Sequence, residues 1–275
     1  MVAIPTPASP AVALFAAQNA GAYEGLMGRW SRLLAPQLVQ FGGLADGDRV
    51  LDVGCGTGSL TFAVTPLANV AAVVGIDPSA AYVAFAEARN QDRRITFQAG
   101  DARALPFADN TFDRAYCQLV LQFIPEARRA VMEMCRTVRA GGTVTAAVWD
   151  TFGGFTVYRM LWDSAGVLDP DATAPRNQLR SLTAPGQMAA MWTDLGLRDV
   201  AQTDLLVRMN YASFDDYWQP IESGDGPVGH YVVGLSGSAR ATLREQVLRA
   251  YLASQPDGAR SFASVALACR GTVPE

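Results

Sequence analysis

The chain has no lysine, and all 22 of its basic residues are arginine. Without lysine the protein cannot form a Schiff base, and it cannot place a P-loop lysine against a nucleotide phosphate. It has a single histidine, His230, which excludes metal sites that need a pair of histidine ligands. It also lacks a run of basic residues and has a net charge of −4, so we expect no nucleic acid among its partners.

Cysteine and charged residues are scarce as well. The four cysteines lie far apart without a Cys-X-X-Cys pair, which excludes zinc-ribbon and thioredoxin-like sites. Isolated cysteines are typical of reduced proteins, and we expect a cytoplasmic location. Charged residues make up 17% of the 275 residues and hydrophobic residues 50%, which excludes a disordered chain and indicates one large folded unit.

Long hydrophobic runs are absent too. The most apolar stretch, residues 60–76, is interrupted by Pro66 and Asn69 and is too short to cross a bilayer. The N-terminal segment contains three early prolines and no positive charge before its apolar run, which argues against a signal peptide. We therefore expect no membrane span, and both a monomer and a homodimer remain open.

From Arg49 to Trp149 the sequence alternates short apolar runs with helical patterns. Apolar strands in repeated strand–helix–strand units indicate a parallel sheet with helices on both faces. The last helix of this part is expected to stop at the glycine pair Gly141-Gly142. In chain order the pattern predicts strands at Arg49–Val53, Val70–Ile76, Ile95–Gln98, Arg114–Val120 and Thr143–Trp149, and helices at Ser59–Leu67, Ser79–Asn90 and Glu126–Arg139.

After Asp150 the sequence becomes richer in aromatic residues and glycine. The pattern there predicts a helix at Met188–Leu195, a strand at Leu197–Met209, a helix at 239–253 and a final strand at Ser261–Cys269. We divide the chain into three parts on this basis. They are N-terminal helices at 1–45 that close over a ligand, an α/β core at 46–151, and a C-terminal part at 152–275 with cap insertions at about 152–185 and 211–256.

A glycine-rich turn joins the first predicted strand to the first helix. Its sequence, Asp52-Val-Gly-Cys-Gly-Thr-Gly58, allows a tight turn and a close approach of the backbone to a ligand. The free N–H groups of the following helix would point at that ligand. On its own the turn is also compatible with a dinucleotide site or with a turn that binds nothing.

Polar residues stand at the ends of four predicted parallel strands. Asp52, Asp77, Asp101 and Gln118 come at or just after successive strands. Open parallel sheets bind ligands beyond the carboxyl ends of their strands, and an acid at the end of the second strand can accept hydrogen bonds from ribose hydroxyls. The pattern therefore predicts a nucleotide-like ligand at this edge of the sheet.

Four segments in this order resemble the class I S-adenosylmethionine-dependent methyltransferases, especially the small-molecule group that includes the ubiquinone and menaquinone enzymes. The resemblance implies a Rossmann-like, seven-stranded, mostly parallel sheet with an antiparallel C-terminal strand. It implies S-adenosylmethionine as cofactor, S-adenosylhomocysteine as product, and no metal. The segments are VLDVGCGTG (Val50–Gly58), VVGIDPS (Val73–Ser79), GDARALPFADNTFD (Gly100–Asp113) and VRAGGT (Val138–Thr143).

The resemblance also assigns cofactor contacts to individual residues. An N-terminal aromatic residue and an arginine would close over the cofactor, and Tyr23, Arg29 and Trp30 are the candidates. The other implied contacts are Asp52, Gly54, Cys55, Gly56 and Gly58 at the methionine part, Asp77 at the ribose, Pro78, Asp101 and Ala102 at the adenine, and Gln118 and Leu119 beneath the sulfonium.

The acceptor is expected to be a small molecule in an aromatic pocket, methylated mainly through proximity and orientation. Similar enzymes carry histidine after the fourth strand, where this chain has Gln122 and Phe123. His230 and Tyr23 are therefore the candidates for a catalytic side chain. The residues expected to line the acceptor pocket are Trp30, Gln122, Trp149, Phe152, Tyr158, Tyr217 and Trp218.

Two other functions remain open at this point. The missing histidine is also compatible with a partner or regulator that binds S-adenosylmethionine without transferring its methyl group. An NAD-dependent dehydrogenase is disfavoured, because the glycine spacing is G-x-G-x-G and because Gly100-Asp101 follows the third strand.

Overall fold

Seven strands form one sheet in the computed structural model, which describes residues 19–169, 181–224 and 226–275. The strand order is β3-β2-β1-β4-β5-β7-β6, with β1 to β5 parallel and β7 antiparallel to both of its neighbours. This arrangement confirms the predicted sheet. The strands are β1 (Arg49–Val53), β2 (Ala72–Asp77), β3 (Ile95–Ala99), β4 (Phe112–Gln118), β5 (Val138–Trp149), β6 (Arg198–Tyr211) and β7 (Arg260–Thr272).

The described helices surround this sheet and cover its carboxyl edge. A π-helical turn at Glu24–Gly28 joins the first two of them, and a 3-10 turn at Leu121–Phe123 follows β4. The α-helices are α1 (Ala20–Tyr23), α2 (Arg29–Phe41), α3 (Thr61–Val64), α4 (Ala80–Arg89), α5 (Ala127–Thr137), α6 (Thr156–Leu168), α7 (Gln187–Asp194), α8 (Phe214–Glu222), α9 (Gly226–Gly234) and α10 (Gly237–Leu252).

Two apolar clusters hold the sheet between its helices. Neighbouring residues of a strand point to opposite faces, so Val50 joins one cluster and Leu51 the other. The first cluster takes in α2, α4 and the cap helices, with Trp162 and Trp218 fully buried. The second takes in α5 and α7, including Trp192. Burial of both faces explains why the strands read as continuous apolar runs.

The structure corrects two predicted helix ends. The helix after the glycine turn is only Thr61–Val64, because the residues on either side of it form turns. The helix expected to reach Arg139 ends at Thr137, and β5 begins at once, so the glycine pair lies inside the strand. A Cβ on Gly142 would come within 2.4 Å of the Asp113 carbonyl oxygen, and this close approach of β4 explains the glycine there.

The cap consists of α6, α8, α9 and α10, packed beyond the carboxyl ends of the strands. Tyr217 of α8 donates a hydrogen bond to the carbonyl of Val157 on α6 at 3.0 Å. Residues 1–18 of the predicted N-terminal part and 170–180 of the predicted first insertion lie outside the described residues. Within the described ranges, each helix is too short or too polar to cross a membrane.

Candidate active site

A cavity of about 640 Å³ lies at the carboxyl ends of the parallel strands. Its lining comes from the glycine turn and the ends of β1 to β5, from the N-terminal segment Tyr23–Trp30, and from the cap. Seventeen of the residues predicted for the site line it: Tyr23, Arg29, Trp30, Asp52, Gly54, Cys55, Gly56, Asp77, Pro78, Asp101, Ala102, Gln118, Leu119, Gln122, Trp149, Tyr158 and Tyr217.

The backbone of the glycine turn borders this cavity, and its glycines add no side chains there. Gly54 has φ +74°, a conformation that favours glycine, and a Cβ on it would meet the Val120 side chain at 2.6 Å. The amides of Gly54 and Cys55 donate to the carbonyl of Ile76 at 2.8 and 3.0 Å, which ties the turn to the end of β2. Gly58 also has a positive φ but does not line the cavity, so its part in the site is to shape the turn.

Asp77 holds the glycine turn from the end of β2. Its Oδ2 accepts from the Gly56 amide and its Oδ1 from the Ser79 amide, both at 2.9 Å. Burial raises the pKa of this carboxyl group, and the two amide hydrogen bonds oppose that rise. Each oxygen keeps a further lone pair, so Asp77 can accept hydrogen bonds from a ligand in the cavity.

Asp52 is the most deeply buried acid of the cavity. Its Oδ2 accepts from the Thr61 hydroxyl at 2.6 Å, whereas Oδ1 is buried and has no hydrogen-bond partner within the described ranges. Burial is the main cause that raises the pKa of Asp52 to about 7, and the nearby Asp77 adds to it. A positively charged hydrogen-bond donor would satisfy the free oxygen and favour the ionised form.

Asp101 is exposed and already paired. Its carboxylate accepts from the Arg103 guanidinium at 2.7 Å and 3.0 Å, and this contact lowers the pKa of Asp101. Arg103 itself lines the cavity, which the sequence did not indicate. A ligand that hydrogen-bonds to Asp101 would share the carboxylate with Arg103.

A hydrogen bond at Glu24 and an ion pair at Arg29 fasten the N-terminal segment over the cavity. Glu24 accepts from the Thr57 hydroxyl of the glycine turn and pairs with Arg32. Arg29 donates to the Asp216 side chain at 2.9 Å and to its carbonyl at 3.1 Å. Sequence patterns did not point to Glu24, since it meets a residue 33 positions away only in the folded chain.

The two hydrogen bonds to Asp216 hold the Arg29 guanidinium against the cap. It lies 4.3 Å from the ring centre of Trp30 and 4.9 Å from that of Tyr211, in cation–π contact with both. Tyr23, by contrast, packs against α4, with its ring centre 5.4 Å from that of Tyr82. The two predicted closing residues thus contact different parts of the molecule.

Aromatic side chains make up much of the cap side of the cavity. Trp149 stacks on Phe155 with ring centres 4.7 Å apart and 15° between planes, and Phe155 stacks on Tyr158 at 5.1 Å and 5°. Burial raises the pKa values of Tyr211 and Tyr217 far above neutrality, so both phenols are protonated at neutral pH. This side of the cavity therefore presents apolar surface to a ligand.

Besides Gly58, three predicted site residues lie outside the cavity wall. Phe152 is 45% exposed, and Trp218 is fully buried within the cap core. His230 is exposed on α9, and neither it nor the other two lines the cavity. The structure thus corrects their placement, because the aromatic pattern of the cap could not separate core and surface positions from the cavity wall.

The described residues contain no group of three or more histidine, cysteine and acidic side chains arranged to hold a metal ion. Their four cysteines are unpaired, and Cys55 lies in the cavity wall. Burial raises the pKa of the Cys55 thiol, which disfavours the reactive thiolate.

Residues 51–146 match the family described as methyltransferase domain. Over 134 residues, 47% of the chain, the sequence is 40% identical to demethylmenaquinone methyltransferase of Renibacterium salmoninarum, and the match covers 53% of that protein. The chain thus spans about half the length of the curated relatives that it matches.

Solved structures show the same fold at low sequence identity. Phosphoethanolamine N-methyltransferase 2 of Haemonchus contortus, in complex with S-adenosylmethionine, gives a TM-score of 0.59 at 17% identity, covering 97% of this chain and 59% of that one. The cyclase SpnF gives 0.55 at 21% identity, with coverages of 89% and 81%. At these identities the similarity shows the fold alone.

Proposed function

We propose that this chain, whose residues 51–146 match the methyltransferase-domain family, transfers a methyl group from S-adenosylmethionine to a small-molecule acceptor. One observation carries the proposal. A single cavity joins the four polar strand-end residues, Asp52, Asp77, Asp101 and Gln118, to an aromatic wall supplied by the cap. The relatives that act on quinones support a small-molecule acceptor.

The residues at the strand ends fit this cofactor. Asp52 Oδ1 is a buried hydrogen-bond acceptor without a partner in the described chain, as a ligand ammonium group requires. Asp77 can accept from ribose hydroxyls while it holds the glycine turn. Ala102 and Pro78 offer apolar surface beside it, where adenine would lie.

The cofactor supplies an electrophilic methyl group on a sulfonium, and the residues of the chain hold the two reactants in position. The glycine turn and Asp52 fix one reactant, and the aromatic cap fixes the other. Holding two reactants in line replaces a bimolecular encounter and can contribute roughly 7–11 kcal/mol to lowering the barrier. The rings of Trp30, Trp149 and Tyr158 exclude water, and their faces tolerate positive charge.

The cap side of the cavity carries no histidine and no acidic side chain among the described residues. Tyr211 and Tyr217 are protonated, Gln122 does not titrate, and His230 lies outside the lining. This side therefore offers no histidine or carboxylate to take a proton from the acceptor, and a proton released on methylation would leave to water. This favours positioning over acid–base chemistry as the contribution of the chain.

The missing general base is also compatible with a second function. A protein that lacks a base could bind S-adenosylmethionine and serve as a partner or regulator without methyl transfer. The cyclase SpnF shares the fold, so the fold does not decide between the two.

Isotopically labelled S-adenosylmethionine, incubated with the protein and a fractionated metabolite pool, tests the proposal. We expect the label in a low-molecular-weight product, and Asp77→Ala should strongly reduce its formation at subsaturating S-adenosylmethionine. Binding of S-adenosylhomocysteine without any labelled product would favour the silent partner. Absence of binding would refute both.

A further inference from the structure

The strand order divides the cavity into two sides that meet at the end of β4. The strand order is β3-β2-β1-β4-β5-β7-β6. On one side of β4, the carboxyl ends of β1, β2 and β3 carry Asp52, Asp77 and Asp101, respectively. On the other side, the carboxyl ends of β5 and β6 adjoin the aromatic cap. The segment after β4 lies between them. Gln122, in the 3-10 turn of this segment, therefore stands where two reactants would meet.

Gln122 presents a fixed hydrogen-bond acceptor. Its side chain is only 7% exposed, and its Nε2 donates to the carbonyl of Leu119 at 3.0 Å. That carbonyl is itself held, since Leu119 has φ +62° and donates its amide to Ala147 at 2.7 Å. Gln122 Oε1, on the other side of the amide, is buried and has no partner in the described ranges. A buried polar atom left in this way requires a ligand or a water.

The cap side beside Gln122 favours an uncharged molecule. Arg29 is its only charged lining residue among those described, and the Arg29 guanidinium is paired with Asp216. Trp149 ends the stack of parallel rings there, and its Nε1 is buried without a partner in the part of the chain that the structure describes. A flat, uncharged compound fits this surface, whereas a carboxylate would lose its hydration and meet only the buried Nε of Arg29, whose positive charge Asp216 already balances.

We propose that Gln122 is a specificity-determining residue, whose Oε1 accepts a hydrogen bond from a hydroxyl or N–H group of a flat, uncharged acceptor bound against the Trp149 stack. The Gln122 amide thus favours acceptors that can donate a hydrogen bond. It does not act as a base. This inference rests on the proposed function, because it assigns the substrate side of the same cavity.

The test measures equilibrium binding of three matched probes to the full chain saturated with S-adenosylhomocysteine. They are 2-naphthol, which donates a hydrogen bond, 2-methoxynaphthalene, which cannot, and 2-naphthoate, which is charged. Wild-type protein should prefer 2-naphthol to 2-methoxynaphthalene roughly three- to tenfold, the effect of one neutral hydrogen bond. It should bind 2-naphthoate least.

Gln122→Met should bring the ratio of the first two affinities close to one when S-adenosylhomocysteine is kept saturating for the variant as well. Phe123→Leu changes the neighbouring cavity residue without touching a polar atom, so it should alter both affinities alike and keep their ratio. A ratio that Gln122→Met leaves intact would overturn the inference, as would a wild-type protein that binds the cofactor product but prefers 2-naphthoate or takes no probe. Failure to bind S-adenosylhomocysteine would instead show that the proposed function itself is wrong.

Discussion

At the scale of the residue, burial keeps the carboxyl group of Asp52 partly protonated near neutral pH. A carboxyl group with a pKa of about 7 binds its proton in the folded state across a range where an unfolded aspartate, with a pKa near 3.8, has lost it. Folding stability from this group therefore falls as the pH rises between these two values. A cationic ligand has the opposite preference, because it favours the ionised form.

We expect the affinity for S-adenosylhomocysteine to increase with pH up to about 7 and then to level off. Below that value, coupling to one proton can weaken binding by at most about tenfold per pH unit. Isothermal titration across this range would measure it, and Asp52→Asn should flatten the profile. Burial also raises the pKa of Asp77, so the affinity of Asp52→Asn can still depend on pH, with a shallower slope than that of the wild type. A wild-type profile without any slope would contradict the assignment of the ammonium site.

Asp77 offers a second test on a single residue. Asp77→Ala should weaken S-adenosylhomocysteine binding by roughly 1.5–3 kcal/mol, because charge-assisted hydrogen bonds to the ribose are lost. The amides of Gly56 and Ser79 also lose their acceptor, so the melting temperature is measured alongside by calorimetry. Asp92→Ala, at a partly exposed aspartate that pairs with Arg94 outside the cavity, is the control. Unchanged affinity in Asp77→Ala would refute the ribose placement.

At the scale of the element, the sequence predicts what is local. Apolar runs located the strands within a few residues, and Ser79 caps α4 as expected by accepting from the Tyr82 amide. The strand-end acids came together because parallel strands share one edge. Contacts between distant segments, such as Glu24 with Thr57 or Arg29 with Asp216, leave no periodic trace in the sequence. The helix end predicted at Gly141-Gly142 was wrong, because glycine is common at helix ends and also where two strands approach closely.

The N-terminal segment acts as a strap across both sides of the cavity. Glu24 attaches it to the glycine turn, and Arg29 attaches it to α8 through Asp216. Between these points, Leu26 and Met27 line the cavity. The π-helical turn Glu24–Gly28 places both attachments within two turns of helix, and such turns are common at functional sites.

Breaking the Arg29–Asp216 pair should loosen this strap. Both side chains are about one-third exposed, so the effect on unfolding is at most about 1 kcal/mol. We expect Asp216→Asn to raise amide hydrogen exchange in residues 23–31 and to speed release of S-adenosylhomocysteine a few-fold. Asp215→Asn removes the exposed pair with Arg244 from the same helix and should change neither. Equal exchange in both variants would contradict the strap.

At the scale of the whole molecule, the cavity connects parts of the chain that are far apart in sequence. The strap, the strand ends and the cap helices α8 and α9 all contribute lining residues. The cap shares its apolar cluster with α2 and β1, through residues such as Trp218, Leu34 and Val50. A ligand in the cavity therefore stabilises all of these parts against unfolding together.

S-adenosylhomocysteine at about a hundredfold excess over its dissociation constant should stabilise the folded chain by roughly 2.7 kcal/mol. For a chain of this size that corresponds to a rise in melting temperature of about 5–10 °C. The rise should be the same by calorimetry and by tryptophan fluorescence, because Trp30 and Trp149 lie in the cavity wall while Trp192 lies in the cluster on the opposite face of the sheet. NADH at the same concentration is the control and should leave the transition unchanged, since the G-x-G-x-G spacing differs from the G-x-G-x-x-G turn of dinucleotide sites. A shift with NADH equal to that with S-adenosylhomocysteine would favour a dehydrogenase, and two separate transitions would show that the cap and the core do not share the site.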